Sequence, residues 1–363
     1  MKEKLTKEIA YKSLQEFFSK KPIVLFGTGT SCDLDPKFGM DALRDCLLKN
    51  VSTDDLNTKQ KGQWESVCKA LEQEGANFEE VMDNVQDANL VHIIIDLTAS
   101  HVKSLDEQYS IKIIKSEVYW VALDLLKRMV DRDRVVHVAT TNYDLLAEYS
   151  FEKNDIAYIT GYSGGICRVS DWEQSEMNVR RFEDTLTKGK VVKKVLKFKK
   201  HIKLYKLHGS LNTFFVGNQI VENNSWIHRK PCCVERLMIT PGMVKHKHIN
   251  DNRNELFGRY DAAVNNHSAF LFIGFGFNDT QIVNTKLLYK LKDQQCHGLI
   301  ITRDSNDRIE KILKDCKNLW LICKNQKENN NGTRIFNSCF KDWLYVDEQI
   351  WDCKVFTKQI LGG

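Results

Sequence analysis

Short, continuous apolar runs alternate along this chain with segments of helical periodicity. The runs end in small or polar residues and lie at 23–26, 135–139, 204–209, 270–276 and 299–302. Amphipathic segments at 281–293 and 307–316 follow two of them. Apolar strands that alternate with helices predict an α/β fold with a doubly wound, Rossmann-like parallel sheet. Ligands bind such sheets at the carboxyl ends of the strands, where the polar residues gather here.

The pattern changes between about residues 50 and 130, where helical periodicity continues without apolar strand runs. We therefore expect residues 1–50 and 131–363 to form the Rossmann-type domain. Residues 51–130 are expected to form a helical insertion packed beside it.

Composition indicates a globular chain, because 42% of the 363 residues are hydrophobic, enough to bury a core. No apolar stretch has the length that a bilayer requires, and the N-terminal residues are charged where a signal peptide would be apolar. We expect a cytoplasmic protein that does not contact a membrane.

The eleven cysteines are scattered, and no two have the Cys-x-x-Cys spacing. Many have apolar neighbours, as buried reduced thiols do. Cys232 and Cys233 are adjacent, a spacing poorly suited to binding one metal ion. We therefore expect neither a zinc site nor another metal site.

A lysine-rich run at 188–206 has nine lysines and no acidic residue, although the whole chain carries a net charge of only +5. Such a run can attract nucleic acid or an acidic partner. Its alternation of lysine with apolar residues is also typical of a solvated strand pair. We favour the strand pair.

Four polar clusters follow apolar runs and could bind a ligand. They are "GTGTS" at 27–31, "TTNYD" at 140–144, "HGS" at 208–210 and "GFGFND" at 274–279. Gly27 and Gly29 would let backbone amides approach a phosphate, although Cys32 occupies the third glycine position of a dehydrogenase fingerprint. Each cluster also has a structural explanation. The glycines suit a tight turn, Thr141 or Asn142 could cap a helix starting near Tyr143, and Asn278 or Asp279 could cap the next one.

In this order the four clusters resemble the sirtuin (SIR2) family, with its glycine-rich loop, TxNxD segment, histidine–glycine pair and later glycine-containing strand end. The variants here are most similar to the SIR2-like domains of bacterial anti-phage defence. The resemblance covers roughly residues 20–50, 134–150, 200–245 and 255–305.

Two departures separate the chain from protein-deacylating sirtuins. Such enzymes carry a four-cysteine zinc ribbon after the histidine–glycine pair, where this sequence has only Cys232 and Cys233. Their proline–aspartate–phenylalanine–arginine stretch is replaced by "DLDPKFGMDALRD" at 33–45. Both differences weaken the case for an acyl-lysine peptide as substrate.

The resemblance implies that NAD binds as a substrate. It implies catalytic roles for Asn142 towards the ribose or the attacking water, for His208 as general base, and for Asp144 in supporting the loop. The residues expected to bind NAD are Gly27, Thr28, Gly29, Ser31, Thr141, Gly209, Gly274 and Gly276.

Water is the expected nucleophile, which makes the chain an NAD glycohydrolase. The alternatives are a protein deacylase or ADP-ribosyltransferase, a non-catalytic NAD or ADP-ribose sensor, and a nucleic-acid-binding subunit. Because free NADase activity would kill the host, the resemblance also implies control by an assembly. We expect a homo-oligomer and a partner of the HerA class of hexameric ATPases, with nucleic acid contacted through that partner or through residues 188–206.

Overall fold

The computed structural model describes residues 4–73, 78–82, 84–187, 190–217, 219–240, 247–279, 282–283, 285–326 and 331–362. Parts of the predicted lysine run, at 188–189, and of the predicted helix at 281–293 lie outside the described residues. Among the residues described, no helix has the length and apolar composition needed to cross a membrane.

The strands are numbered in chain order. They are β1 (Ile23–Phe26), β2 (Val135–Thr140), β3 (Tyr158–Ile159), β4 (Tyr162–Gly164), β5 (Arg168–Ser170), β6 (Arg180–Thr187), β7 (Lys190–Phe198), β8 (His201–Lys206), β9 (Gly209–Val216), β10 (Gln219–Glu222), β11 (Glu235–Met238), β12 (Ala269–Ile273), β13 (His297–Thr302), β14 (Leu319–Lys324), β15 (Thr333–Asn337) and β16 (Asp342–Val346).

The α-helices are numbered in the same way. They are α1 (Lys7–Ser19), α2 (Gly29–Cys32), α3 (Met40–Asn50), α4 (Thr58–Leu71), α5 (Phe78–Met82), α6 (Ala88–Ile114), α7 (Leu123–Asp133), α8 (Leu146–Lys153), α9 (Trp172–Asn178), α10 (Lys247–Asn266), α11 (Thr285–Lys292), α12 (Asp307–Asp315) and α13 (Cys353–Ile360). Short 3₁₀ helices lie at Pro36–Phe38 and Asn224–Trp226.

A nine-stranded sheet with the order β16-β15-β14-β13-β12-β1-β2-β8-β3 forms the centre of the fold. The strands from β14 to β3 in this order are parallel, and β15 and β16 are antiparallel. From β1 the chain continues to β2 on one side, and the half on the other side begins later with β12. The switch of winding direction therefore lies between β1 and β12, where doubly wound sheets bind ligands.

Helices cover both faces of this sheet, as the prediction of a doubly wound α/β fold requires. Val24 and Phe26 of β1 belong to a core shared with α1, α3, α6, α7 and α13. Ile23 and Leu25 point to the other face and share a second core with α10, α11 and α12. Because successive side chains of a strand alternate between faces, the fully apolar β1 serves both cores.

The segment at 51–130 contains α4, α5, α6 and the start of α7, in agreement with the helical periodicity. Leu90 and Ile94 of α6 belong to the same core as Val138 of β2. These helices therefore share a continuous core with the sheet, and a separate insertion domain with bounds at 51 and 130 stays a prediction.

The lysine-rich run is divided between two different structures. β7 pairs with β6 in an antiparallel hairpin, whereas Lys203 and Lys206 belong to β8 inside the central sheet. Glu183 of β6 forms ion pairs with Arg134, Arg181 and Lys197. The predicted strand pair therefore accounts for the first part of the run only, since the second part is an interior strand.

A close crossing of two backbone turns joins the carboxyl ends of β1 and β12. The Gly29 N–H donates to the Gly274 carbonyl oxygen at 3.0 Å. A Cβ atom added to Gly29 would lie 2.6 Å from Gly274 Cα, and Gly274 itself has a φ of +55°. Both positions therefore need glycine, because a side chain on either one would collide with backbone.

We expect Gly29→Ala and Gly274→Ala each to lower the free energy of unfolding by about 2–4 kcal/mol, because backbone must move apart to admit the methyl group. Urea denaturation measures the loss. The control is Gly62→Ala, at an exposed position of α4 with no atom near the added Cβ. It should stabilise by about 0.5–1 kcal/mol. Wild-type stability in both crossing variants would contradict the packing role.

Candidate functional site

The four polar clusters follow four strands that are neighbours in the sheet, in the order β12-β1-β2-β8. Two of these strands end earlier than predicted, since β8 ends at Lys206 and β12 at Ile273. His208 and Gly274 therefore lie in the loops beyond the strands. Because parallel strands end at the same edge, the four loops meet there.

The first loop turns sharply after β1 and forms α2, a single helical turn. Its glycine amides are already used, since the Gly27 N–H donates to the Ile273 carbonyl at 3.1 Å and the Gly29 N–H to Gly274. The crossing with β12 thus explains these glycines by backbone packing. Phosphate contacts by Gly27, Thr28, Gly29 and Ser31 stay a prediction.

Asn142 lies in the loop after β2 and is only 2% exposed. Its side-chain amide donates to the Gly27 carbonyl at 3.2 Å and to Ser31 Oγ at 3.0 Å. The oxygen of the same side-chain amide, Oδ1, is a buried acceptor with no hydrogen-bond partner among the described residues. A buried acceptor without a partner costs free energy in a folded protein, and a bound ligand that donates a hydrogen bond would remove that cost.

The helix-cap explanation of Thr141 and Asn142 is wrong. α8 begins at Leu146, and its N-cap residue Leu145 makes no side-chain capping bond. Thr140 Oγ1 instead accepts from the Asn142 N–H at 3.0 Å, which stabilises a turn before the helix. Thr141 is half-buried beside it.

Asp144 connects the first two loops and is buried. Its Oδ2 accepts from Ser31 Oγ at 2.7 Å, and Ser31 Oγ in turn accepts from Asn142. Below the loop, Lys206 of β8 donates from Nζ to the Asp144 carbonyl oxygen at 2.7 Å and to Glu148 Oε1 at 2.5 Å. Burial raises the pKa of both carboxyl groups, and the charge of Lys206 opposes that rise. The loop after β2 is thus held from below by the buried ammonium group of Lys206.

Asp106 of α6 also holds this loop, and the sequence did not single it out. Its Oδ1 accepts from the Leu145 N–H at 2.6 Å. Burial raises the pKa of this carboxyl group to about 7. The signal that could have identified Asp106 is its place between Val102, Leu105 and Tyr109 on the apolar face of a long helix, where an acid is costly.

His208 lies in the turn after β8 and is mostly shielded from solvent. Its carbonyl oxygen accepts from the Ile239 N–H at 2.8 Å. Its ring stacks against Tyr143, with ring centroids 6.3 Å apart, and the Tyr143 hydroxyl donates to the Ile239 carbonyl. His208 Nε2 lies 2.6 Å from Oδ2 of Asp279, in the loop after β12.

The remaining predicted glycines also have close neighbours. Gly209 has a φ of +70°, and an added Cβ would lie 2.1 Å from the Leu237 carbonyl oxygen of β11. The Gly276 carbonyl accepts from Asn306 Nδ2 at 3.0 Å. Packing is therefore a sufficient reason for Gly209, whereas Gly276 has room for a Cβ atom, and the contact of both with NAD stays a prediction.

Taken together, the four loops form a closed ring of contacts. Gly274 packs on Gly29, Ser31 bonds Asn142, Tyr143 of the same loop stacks on His208, and His208 contacts Asp279, which follows Gly274. The structure thus brings the three candidate catalytic residues, Asn142, Asp144 and His208, to one edge of the sheet. The amide of Asn142, the imidazole of His208 and the glycine-rich turn therefore lie at the winding switch, where a doubly wound fold has its ligand-binding crevice.

The described part of the chain contains no group of three histidine, cysteine or acidic side chains that could hold a metal ion. Cys232 and Cys233 are exposed free thiols. Absence of zinc stays a prediction.

The raised pKa of Asp106 predicts a pH-dependent penalty. The carboxyl group has a pKa of 3.8 in the unfolded chain and about 7 in the folded protein. Its ionisation therefore lowers the free energy of unfolding as the pH rises between these values, and the loss is constant above them. Asp106→Asn retains the acceptor for Leu145 and removes the charge. We expect its stability relative to wild type to improve by roughly 3 kcal/mol between pH 4 and pH 7.

Urea denaturation across this range measures the difference, with the exposed Asp41→Asn as control. A difference between Asp106→Asn and wild type that does not change with pH would show that Asp106 is ionised in the folded protein throughout.

Comparison with known proteins identifies the family to which the chain belongs. A family model described as "SIR2-like domain" matches residues 136–321, just over half of the chain. A solved structure described as "Structural Basis for the Mechanism and Regulation of Sir2 Enzymes" is similar at 11% sequence identity and a TM-score of 0.41, over 85% of this chain and 90% of that chain. That structural likeness carries no argument about activity. The chain matches no curated protein. On the family match, the chain belongs to the SIR2-like domain family.

Proposed function

We propose that the crevice binds NAD and hydrolyses it to nicotinamide and ADP-ribose. The observation that carries this proposal is the environment of Asn142. Its amide is fixed by Gly27 and Ser31, while Oδ1 remains a buried acceptor without a partner among the described residues. An acceptor of this kind suits a ribose hydroxyl or a water molecule next to the bound dinucleotide.

The chemistry needs little from the protein beyond placement. Nicotinamide leaves as a neutral molecule when its bond to the ribose C1′ breaks, and the ribose then develops oxocarbenium character. A water oxygen bonds to C1′, and His208 accepts the proton that this water releases. Asn142 would orient the water or a ribose hydroxyl, and Asp144 would keep the loop in place through Ser31.

Hydrolysis is favoured over transfer to an acyl-lysine peptide by two features of the sequence. Only two cysteines, adjacent and exposed in the structure, lie between the histidine–glycine pair and β12. The segment at 33–45 also lacks the proline–aspartate–phenylalanine–arginine stretch of the deacylating sirtuins. A deacylase or an ADP-ribosyltransferase is the second candidate, and a non-catalytic NAD sensor is the third.

We further propose that this activity serves anti-phage defence in the cytoplasm, through NAD depletion that depends on an assembly. The proposed assembly is a homo-oligomer with a HerA-type hexameric ATPase, and nucleic acid would be contacted by that partner or by residues 188–206. The support is the resemblance of the four motifs to the SIR2-like domains of anti-phage defence.

Asn142→Ala and His208→Ala test the proposal. Each is expected to lower NAD turnover by about 100-fold or more, because each removes a group that contacts the reacting atoms. Chromatography of NAD, nicotinamide and ADP-ribose measures the loss, with and without the product of a neighbouring gene. Asn178→Ala and His228→Ala, both at exposed positions, are the matched controls and should retain wild-type turnover.

Three results would contradict the proposal. Full turnover by Asn142→Ala would exclude Asn142 from the reaction. Turnover that requires an acylated peptide and releases no free ADP-ribose would identify a deacylase. Binding of NAD by the wild type without turnover, alone and with its partner, would identify a sensor.

A further inference from the structure

His208 has an acidic partner in Asp279, the last residue of the cluster at 274–279. Its Nε2 atom is 2.6 Å from Asp279 Oδ2, and the two side chains are 15% and 13% exposed. The contact is an ion pair by distance and not a hydrogen bond of regular geometry, and the shielding of both groups from solvent strengthens their electrostatic interaction.

Both members of this pair are held by other contacts. Asp279 Oδ1 accepts from the Ile282 N–H at 3.2 Å, so one carboxylate oxygen is fixed in the turn after β12 while Oδ2 faces the histidine. His208 is anchored through its carbonyl by the Ile239 N–H, and its ring rests on Tyr143. The pair therefore joins the carboxyl ends of β8 and β12 across the crevice.

The identity of the contacting nitrogen determines where the imidazole proton lies. A neutral imidazole carries one N–H group and one lone pair. A carboxylate oxygen presents only lone pairs, and a second lone pair on Nε2 at 2.6 Å would be repelled, so the hydrogen lies on Nε2. The lone pair then lies on Nδ1.

We propose that Asp279 is a positioning residue that holds His208 in the Nε2–H form, so that Nδ1 is the atom that accepts the proton in the reaction. The catalytic part of this inference rests on the proposed NAD hydrolysis. The assignment of the hydrogen to Nε2 does not. An acid that fixes the tautomer of a catalytic histidine in this way has a large effect on turnover in other enzymes.

The alternative role for Asp279 is purely structural, as the residue that caps the turn through Ile282. Substitutions separate the two roles. Asp279→Ser retains a capping oxygen but is too short to reach His208. Asp279→Asn retains the length and the capping oxygen, but it removes the charge and can present an N–H to the histidine. Asp279→Glu restores the charge on a longer side chain.

Steady-state kinetics with NAD measures the consequence, using the chain with whatever partner its wild-type activity requires. Asp279→Asn and Asp279→Ser are expected to lose about 100-fold in kcat, with KM changed by less than about threefold, because histidine orientation affects the chemical step. Asp279→Glu should recover part of the loss. Wild-type kcat in Asp279→Ser would overturn the proposal, since capping alone would then suffice.

A second measurement does not depend on activity. Nitrogen-15 NMR of the imidazole side chains, at a pH where His208 is neutral, distinguishes the Nε2–H from the Nδ1–H form, and His208→Gln assigns the signal. We expect Nε2–H in the wild type and a shift towards Nδ1–H in Asp279→Asn. Nδ1–H in the wild type, or the same form in both proteins, would overturn the proposal. If the expected NMR result accompanies a wild type that never cleaves NAD, the proposed function fails while the tautomer assignment stands.

Discussion

The crevice depends on the crossing of two backbone turns at the carboxyl ends of β1 and β12. Gly29 and Gly274 approach so closely that neither position has room for a Cβ atom, and the Gly29 N–H closes the contact on the Gly274 carbonyl. This crossing lies at the switch point of the sheet, where the loops of a doubly wound fold diverge. It brings the Thr28–Ser31 turn against the loop after β2, where Ser31 bonds Asn142 and Asp144.

A buried polar network then holds the β2 loop in place. Ser31, Lys206 and Asp106 reach Asp144 or its neighbour from three different elements, and each makes a hydrogen bond to it. Burying the ionisable groups of Asp106, Asp144 and Lys206 costs desolvation free energy that an apolar core would not cost. We interpret these hydrogen bonds as the reason why Asn142 keeps its position although its Oδ1 bonds none of the described residues, because they leave the loop few other conformations.

Much of the fold follows from the hydrophobic pattern, since β1 at 23–26 has the predicted bounds and the other motif-bearing strands lie where apolar runs predict them. Periodicity could not reveal the buried pairs. Asp106, Lys206 and Asp279 have partners 39, 62 and 71 residues away in sequence, from other elements. The alternative that Thr141 or Asn142 caps the next helix was wrong, because Thr140 bonds the Asn142 N–H in a turn and the helix begins only at Leu146. A local hydrogen bond thus decided the cap, whereas the buried pairs depend on long-range contacts that no local window contains.

The most direct test of the central claim, that the four loops form one dinucleotide site, is a crystal structure of Asn142→Ala soaked with NAD, since this variant should bind without turnover. The account predicts the pyrophosphate against the turn at 28–31 and the nicotinamide ribose between position 142 and His208. NAD bound elsewhere, such as in the cleft lined by Lys127 and Lys358 between α7 and α13, with the ring of loops empty, would contradict it.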